Sequence, residues 1–239
     1  MKRPPMPTVG VILSDTGFRR PPGDVGSAAS YACPTLFHVA RGVTAAHMVQ
    51  PVADPALLEP YLQGALALQE RGADVVTTTC GFLASLQDKI APHLRVPFVA
   101  SSLLQIPLVH AMVRGRVAIL TANDEALTRA HLDAAGIARD VPLAFAALQG
   151  YPPFADPLLR GIGQMDLAKV NDCVGQAVTD LITKYPDIKA FVCECHNLPP
   201  FSQTIRRRTG RPVYDILTLV VAALGNRGVG ALAPLPLLS

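Results

Sequence analysis

A twice-repeated alternation of short β-branched runs with longer helical patterns is the feature that most narrows what this 239-residue chain can become. Thr8 to Leu13 reads as a first strand. Pro55 to Arg71 carries Leu58, Leu62 and Leu66 at helical spacing, and Gly72 follows where a left-handed residue caps a helix. Val75 to Thr78 is a second strand, Phe82 to Ile90 a short helix and Val96 to Val99 a third strand, after which Ser101 and Ser102 offer a helix cap. A second series begins at Arg116 to Thr121. It continues through a helix from Asp124 to Ala135 closed by Gly136, a helix from Asp166 to Lys184 and a strand from Ile188 to Val192. Pro199 to Thr209 reads as helical, Pro212 to Tyr214 as a strand, and Asp215 opens a last helix. Such a rhythm predicts an α/β fold with parallel sheets flanked by helices.

The two series resemble each other. Val9-Gly10-Val11-Ile12-Leu13-Ser14-Asp15 matches Arg116-Val117-Ala118-Ile119-Leu120-Thr121-Ala122, and Ala73 to Val76 matches Ile188 to Phe191. Leu13 against Leu120 gives an offset of 107 residues, and Cys80 against Cys195 one of 115. The difference is one loop insertion, so two pseudo-symmetric α/β lobes are expected. The most loop-like stretch, Arg19 to Ser27, follows the first strand at the edge where open α/β sheets bind ligands. It is either a substrate loop or a long connection.

Half of the residues are hydrophobic and 16% are charged, so the chain should fold around a core. A formal charge of +3 gives no case for nucleic acid. The dense basic run Arg206-Arg207-Arg208 reads as a solvated helix end. No apolar stretch reaches about 18 residues without a turn or a charge, so no membrane span is expected. No secretory pattern is read in Met1 to Pro5, and reduced thiols in a cytoplasm fit the five cysteines better than a disulfide framework.

Two of those cysteines stand in equivalent places. Cys80 ends Val75-Val76-Thr77-Thr78-Thr79 and Cys195 ends Phe191-Val192-Cys193-Glu194, each ahead of a predicted helix start. A helix N-terminus lowers a thiol's pKa and offers free N–H groups to a carboxylate. Two thiols, one per lobe, suit acid–base work on opposite faces of a carbon next to a carboxylate, because thiolate and thiol can exchange roles. Thr79 and Gly81 beside Cys80, and His196 and Asn197 beside Cys195, are candidate substrate contacts. So are Ser14 and Asp15 after the first strand and Thr121 at the matching place in the second lobe. Asp15 could polarise a thiol, hold an ammonium or cap a turn. Cys193 is expected to face away from Cys195, and with Cys33 and Cys173 it reads as structural. Cys193-Glu194-Cys195-His196 lacks the spacing of common zinc pairs and has no second ligand pair, so no metal is expected. Tyr31 and Tyr151 are candidate cleft walls.

Asp15-Thr16-Gly17, Thr78-Thr79-Cys80-Gly81 and Cys195-His196-Asn197-Leu198-Pro199, in that order, resemble the three motifs of the aspartate/glutamate/hydantoin racemase superfamily. The likeness covers nearly the whole chain. His196 stands where that family usually has threonine, and the Pro21-Pro22-Gly23-Asp24 loop is foreign to its best-known members. The resemblance implies two Rossmann-like domains with the site in the cleft between them. The first would comprise residues 1–105 with 214–239, because the last helix returns to it, and the second 106–213. It also implies chemistry without metal, pyridoxal or any other cofactor, with Cys80 and Cys195 as the acid/base pair.

The activity expected on these grounds is a racemase or epimerase, an isomerase of a small carboxylate-bearing or hydantoin-like substrate. The alternatives are a maleate-type cis–trans isomerase, an arylmalonate-type decarboxylase and a non-catalytic small-acid binding protein. Retention of both cysteines argues for two-sided proton transfer. The expected partner is the small carboxylate alone, with neither nucleic acid nor membrane. Oligomeric state is open, a homodimer included.

Overall fold

The structure, a computed structural model, describes residues 6–234. The expectation of no secretory signal falls on Met1 to Pro5, which lie outside the described residues. Two parallel four-stranded sheets form the frame. The first contains β1 (Val9–Ser14), β2 (Thr35–Ala40), β3 (Val75–Thr78) and β4 (Phe98–Val99) in the order β2-β1-β3-β4. The second contains β5 (Arg116–Thr121), β6 (Leu143–Ala147), β7 (Ile188–Cys193) and β8 (Val213–Tyr214) in the order β6-β5-β7-β8. The duplicated rhythm is therefore a duplicated topology, and the α/β expectation holds.

Central strands are buried along their length, as parallel strands covered on both faces must be. All four residues of β3 and the last five of β5 are buried. The helix Leu167–Lys184 buries Val170, Val174, Val178 and Leu181 along one stripe. Asp166 caps it, accepting the Ala168 and Lys169 N–H groups at 3.1 and 3.2 Å. Leu58–Glu70 ends at Arg71, with Gly72 at φ +92° supplying the left-handed turn. The last helix, Ile216–Ala223, lays Ile216, Leu217 and Val220 against Val9, Val11, Val75 and Val99 of the first sheet.

Some elements depart from the sequence reading. The helix expected from Asp124 forms only over Arg129–Ala134. Asn123 Oδ1 first takes the Glu125 and Ala126 N–H groups at 3.0 and 3.2 Å, a local turn that competes with helix. Thr128 and His131 then form a capping box that starts the helix afresh. The segment after Cys80 is a 3₁₀ helix over Gly81–Leu86 before a single α turn, Gln87–Ile90. β2 and β6, absent from the sequence reading, are the outer strands beside β1 and β5. Among the described residues no helix is long and apolar enough to cross a membrane.

Candidate active site

In each sheet the chain leaves the first strand in one direction and returns on its other side. The carboxyl ends of β1 and β3, and of β5 and β7, therefore flank a crevice. Residues from both crevices line one cavity. Ser14, Thr16 and Arg20 come from behind β1, Thr79 and Cys80 from behind β3, Ala122 from behind β5, and Glu194, Cys195 and Asn197 from behind β7. The two thiols singled out by position thus converge from opposite lobes. The free volume of the cavity is about 30 Å³, roughly two water-sized spheres, so it suits a small ligand.

Each sulfur is held alike, accepting the backbone N–H two residues on, Phe82 for Cys80 and Asn197 for Cys195. Asn197 Nδ2 lies 3.7 Å from the Cys195 sulfur as a second donor. The expectation of thiols made acidic by helix termini is corrected. Burial pushes Cys80 well above the ordinary thiol range, and burial with Glu194 alongside pushes Cys195 up to about 12. Cys195 has no helix directly after it; a turn through His196 and Asn197 comes first, and helical structure starts at Pro199. Cys193 is fully buried and absent from the cavity wall; the strand ends there, and the turn that follows carries Cys195 to the cavity. All five cysteines are free.

The other candidates divide. Ser14 and Thr79 line the cavity and tie β1 to β3: the Ser14 N–H donates to Thr79 Oγ1 at 3.0 Å and the hydroxyls lie 3.1 Å apart. Asn197 accepts from Arg20 at 3.2 Å. Gly81 is in the wall and packs on Glu194. Thr121 stands behind the wall and donates to Glu194 Oε2 at 2.8 Å. His196 is fully buried with both ring nitrogens occupied: Nδ1–H donates to Thr78 O at 2.8 Å and Nε2 accepts the Ser102 N–H at 3.2 Å. That fixes its tautomer, and burial pushes its pKa down to about 4. Asp15 is exposed, takes the Gly42 N–H at 2.9 Å and lies outside the cavity. Tyr31 and Tyr151 do not line it either.

Sequence reasoning missed the two charged residues of the wall. Arg20 pairs with the fully buried Asp24 at 2.9 Å, and its second amino group makes only long contacts, 3.5 Å to Ser14 and 3.4 Å to Thr16. The loop-like Arg19 to Ser27 stretch is thus a built segment that carries a guanidinium into the site. Glu194 is fully buried, with its pKa pushed up to about 8 by desolvation. The available signal was its place beside Cys195, directly after the apolar run Ala190 to Cys193. Among the described residues no three His, Cys, Asp or Glu side chains are grouped as a metal site would need.

The chain is 32% identical over 222 residues to a dimethylsulfoniopropionate lyase of Durusdinium sp. clade D, covering 88% of this chain and 71% of that protein. The chain belongs to the dimethylsulfoniopropionate lyase family. Two relatives from Emiliania huxleyi (strain CCMP1516), dimethylsulfoniopropionate lyases 7 and 5, are 25% and 28% identical. The matches cover 89% and 90% of this chain but 64% and 44% of those longer proteins. No family model matches. Among solved structures, an unliganded arylmalonate decarboxylase superposes with a TM-score of 0.59 at 18% identity, covering 95% of this chain and 96% of that one. Picrophilus torridus aspartate racemase gives 0.51 at 13%, covering 92% and 94%. This lyase-family chain therefore has the fold of the aspartate/glutamate/hydantoin racemase superfamily. The racemase and isomerase assignment is corrected: relatives spanning nearly the whole chain are lyases.

Proposed function

We propose that the protein is a lyase that splits dimethylsulfoniopropionate by β-elimination. The observation that carries the reading is the convergence of Cys80 and Cys195 with Arg20 in one cavity, in a chain of this family. The substrate has a carboxylate at one end, a dimethylsulfonium at the other and two methylenes between. A thiolate removes a proton from the carbon next to the carboxylate. That carbon–hydrogen pair becomes the new double bond, and the pair of the carbon–sulfur bond leaves with the sulfur. The products are acrylate and neutral dimethyl sulfide, and the proton, first held as a thiol, returns to solvent.

Each role has a matching group. The free edge of Arg20, with Ser14 and Thr16, suits the carboxylate. Cys195 is the better base, since two donors from Asn197 meet its sulfur. Its raised pKa keeps it a thiol in the empty cavity. An arriving sulfonium is a positive charge in a site of low dielectric and favours the thiolate when it is needed. The same first step underlies racemisation. The outcome differs because this substrate carries a leaving group on the next carbon, so the electron pair departs instead of being reprotonated.

Dimethyl sulfide release from the purified protein, followed by headspace gas chromatography, tests the reading. Cys195→Ser should lose about a thousandfold or more in rate, and Cys80→Ser should also fall, by less. Full activity in Cys195→Ser, or no dimethyl sulfide from the wild-type protein, would overturn it.

A further inference from the structure

Glu194 is the sole acid among the described residues that line the thiol cavity. Oε2 is held by Thr121 at 2.8 Å, and the Ala122 N–H serves the same carboxyl group. Oε1 is buried and has no hydrogen-bond partner. Leaving a buried carboxyl oxygen unpaired costs stability and calls for a reason. The chain makes room for it: a Cβ at Gly81 would lie 2.5 Å from Oε1 and 1.9 Å from the Glu194 carbonyl oxygen. Phe18, Phe82 and Phe154 line the same cavity.

A methylated onium group has no N–H or O–H to donate. It is recognised by a negative charge at contact distance and by aromatic faces. An orphan carboxyl oxygen in an aromatic-walled cavity, with a guanidinium elsewhere in its wall, has that chemistry. We infer that Glu194 is the counter-charge for the substrate's methylated onium group and makes the site select a cationic substrate over a neutral one of the same shape. The inference rests on the lyase reading of this cavity and adds the residue that reads the cationic end.

A linked proton gives the inference a sign. In the empty cavity Glu194, with its pKa pushed up to about 8, is mostly protonated near neutral pH. A bound cation draws it to the carboxylate form, so binding should release a proton. The neighbouring titratable groups do not supply that proton on other grounds. Cys80, Cys193 and Tyr61 are held protonated by burial. Cys195 is a thiol in the empty cavity, but a bound cation favours its thiolate too, so the proton count is also read in Cys195→Ser, where release persists if Glu194 supplies it. His196 is held neutral by burial, and Arg20 is paired with Asp24. A protonated Glu194 that instead donated to the substrate carboxylate would release none.

The test is titration calorimetry on the full chain with two unreactive probes, β-trimethylammoniopropionate and the isostere in which a tert-butyl group replaces trimethylammonium. Buffers of different ionisation enthalpy report the proton count. The wild-type protein should bind the onium probe about tenfold more tightly or better and release a proton near neutral pH. Glu194→Gln should erase both the preference and the proton release while still binding the isostere. Should that variant fail to fold, the same two probes on Cys195→Ser decide: a kept preference with proton release supports the inference, and loss of the release overturns it. Equal affinity for the two probes, or no proton released, overturns the inference. If that result accompanies normal dimethyl sulfide production, the role of Glu194 fails and the lyase reading stands. If neither probe binds and no dimethyl sulfide forms, both fail.

Discussion

Burial governs the chemistry of Cys80 and Cys195. A thiol at the start of a long helix would be partly ionised near neutral pH. Here one sulfur precedes a six-residue 3₁₀ segment and the other a turn, and desolvation dominates at both. A base whose pKa lies above the ordinary thiol range holds less thiolate at every pH below it, and the thiolate fraction grows as pH rises. For the proposed elimination, kcat/KM should therefore keep rising through about pH 8.5, the free-thiol value, with no plateau near neutrality. A pH–rate profile of dimethyl sulfide release checks it, and a plateau reached by about pH 7 would place an acidic thiolate in the free enzyme.

At the scale of elements, the lobes meet where the segment after β3 crosses the end of β7, and Gly81 sits at that crossing. The neighbour its Cβ would strike is backbone, the carbonyl oxygen of Glu194 at 1.9 Å, so no rotamer change relieves the clash. Gly81→Ala should destabilise the protein by about 1–3 kcal/mol or more and depress activity by displacing both Cys80 and Glu194. Gly17→Ala, where a Cβ meets nothing within 4 Å, should leave urea stability nearly unchanged. Equal stability of the two variants would refute the close approach. The central strands around this crossing were legible in the sequence because they are apolar and β-branched. β2 and β6 were not. β2 is a half-buried outer strand with His38 inside it, and β6 reads Leu-Ala-Phe-Ala-Ala, an alanine-rich pattern that favours helix. Both thiols were legible from position. Arg20 was hidden because a loop folds it back into the site, and Glu194 because a carboxylate beside a strand end ordinarily faces water.

At the scale of the whole molecule, one apolar core runs through both lobes, and a polar tie joins them beside the cavity. His196, in the second lobe, spends its entire hydrogen-bonding capacity on the first, taking Thr78 O and the Ser102 N–H. Ser102 Oγ returns a bond to the Cys193 carbonyl oxygen. His196 is thus a brace between lobes, and it holds the walls bearing Cys80 and Cys195 in register. His196→Leu would leave a buried carbonyl and a buried N–H unpaired, which should cost about 2–5 kcal/mol. The variant should also respond differently to acid. His196 has its pKa pushed down to about 4, so as pH falls from the ordinary histidine value of about 6.5 the unfolded chain takes up a proton that the folded one refuses. The stability contributed by the neutral ring is therefore present above that range and lost toward about pH 4. Urea unfolding of wild type and His196→Leu across this window should show the gap between them narrowing as pH drops. A gap that stays constant would mean that the ring titrates normally and does not brace the lobes.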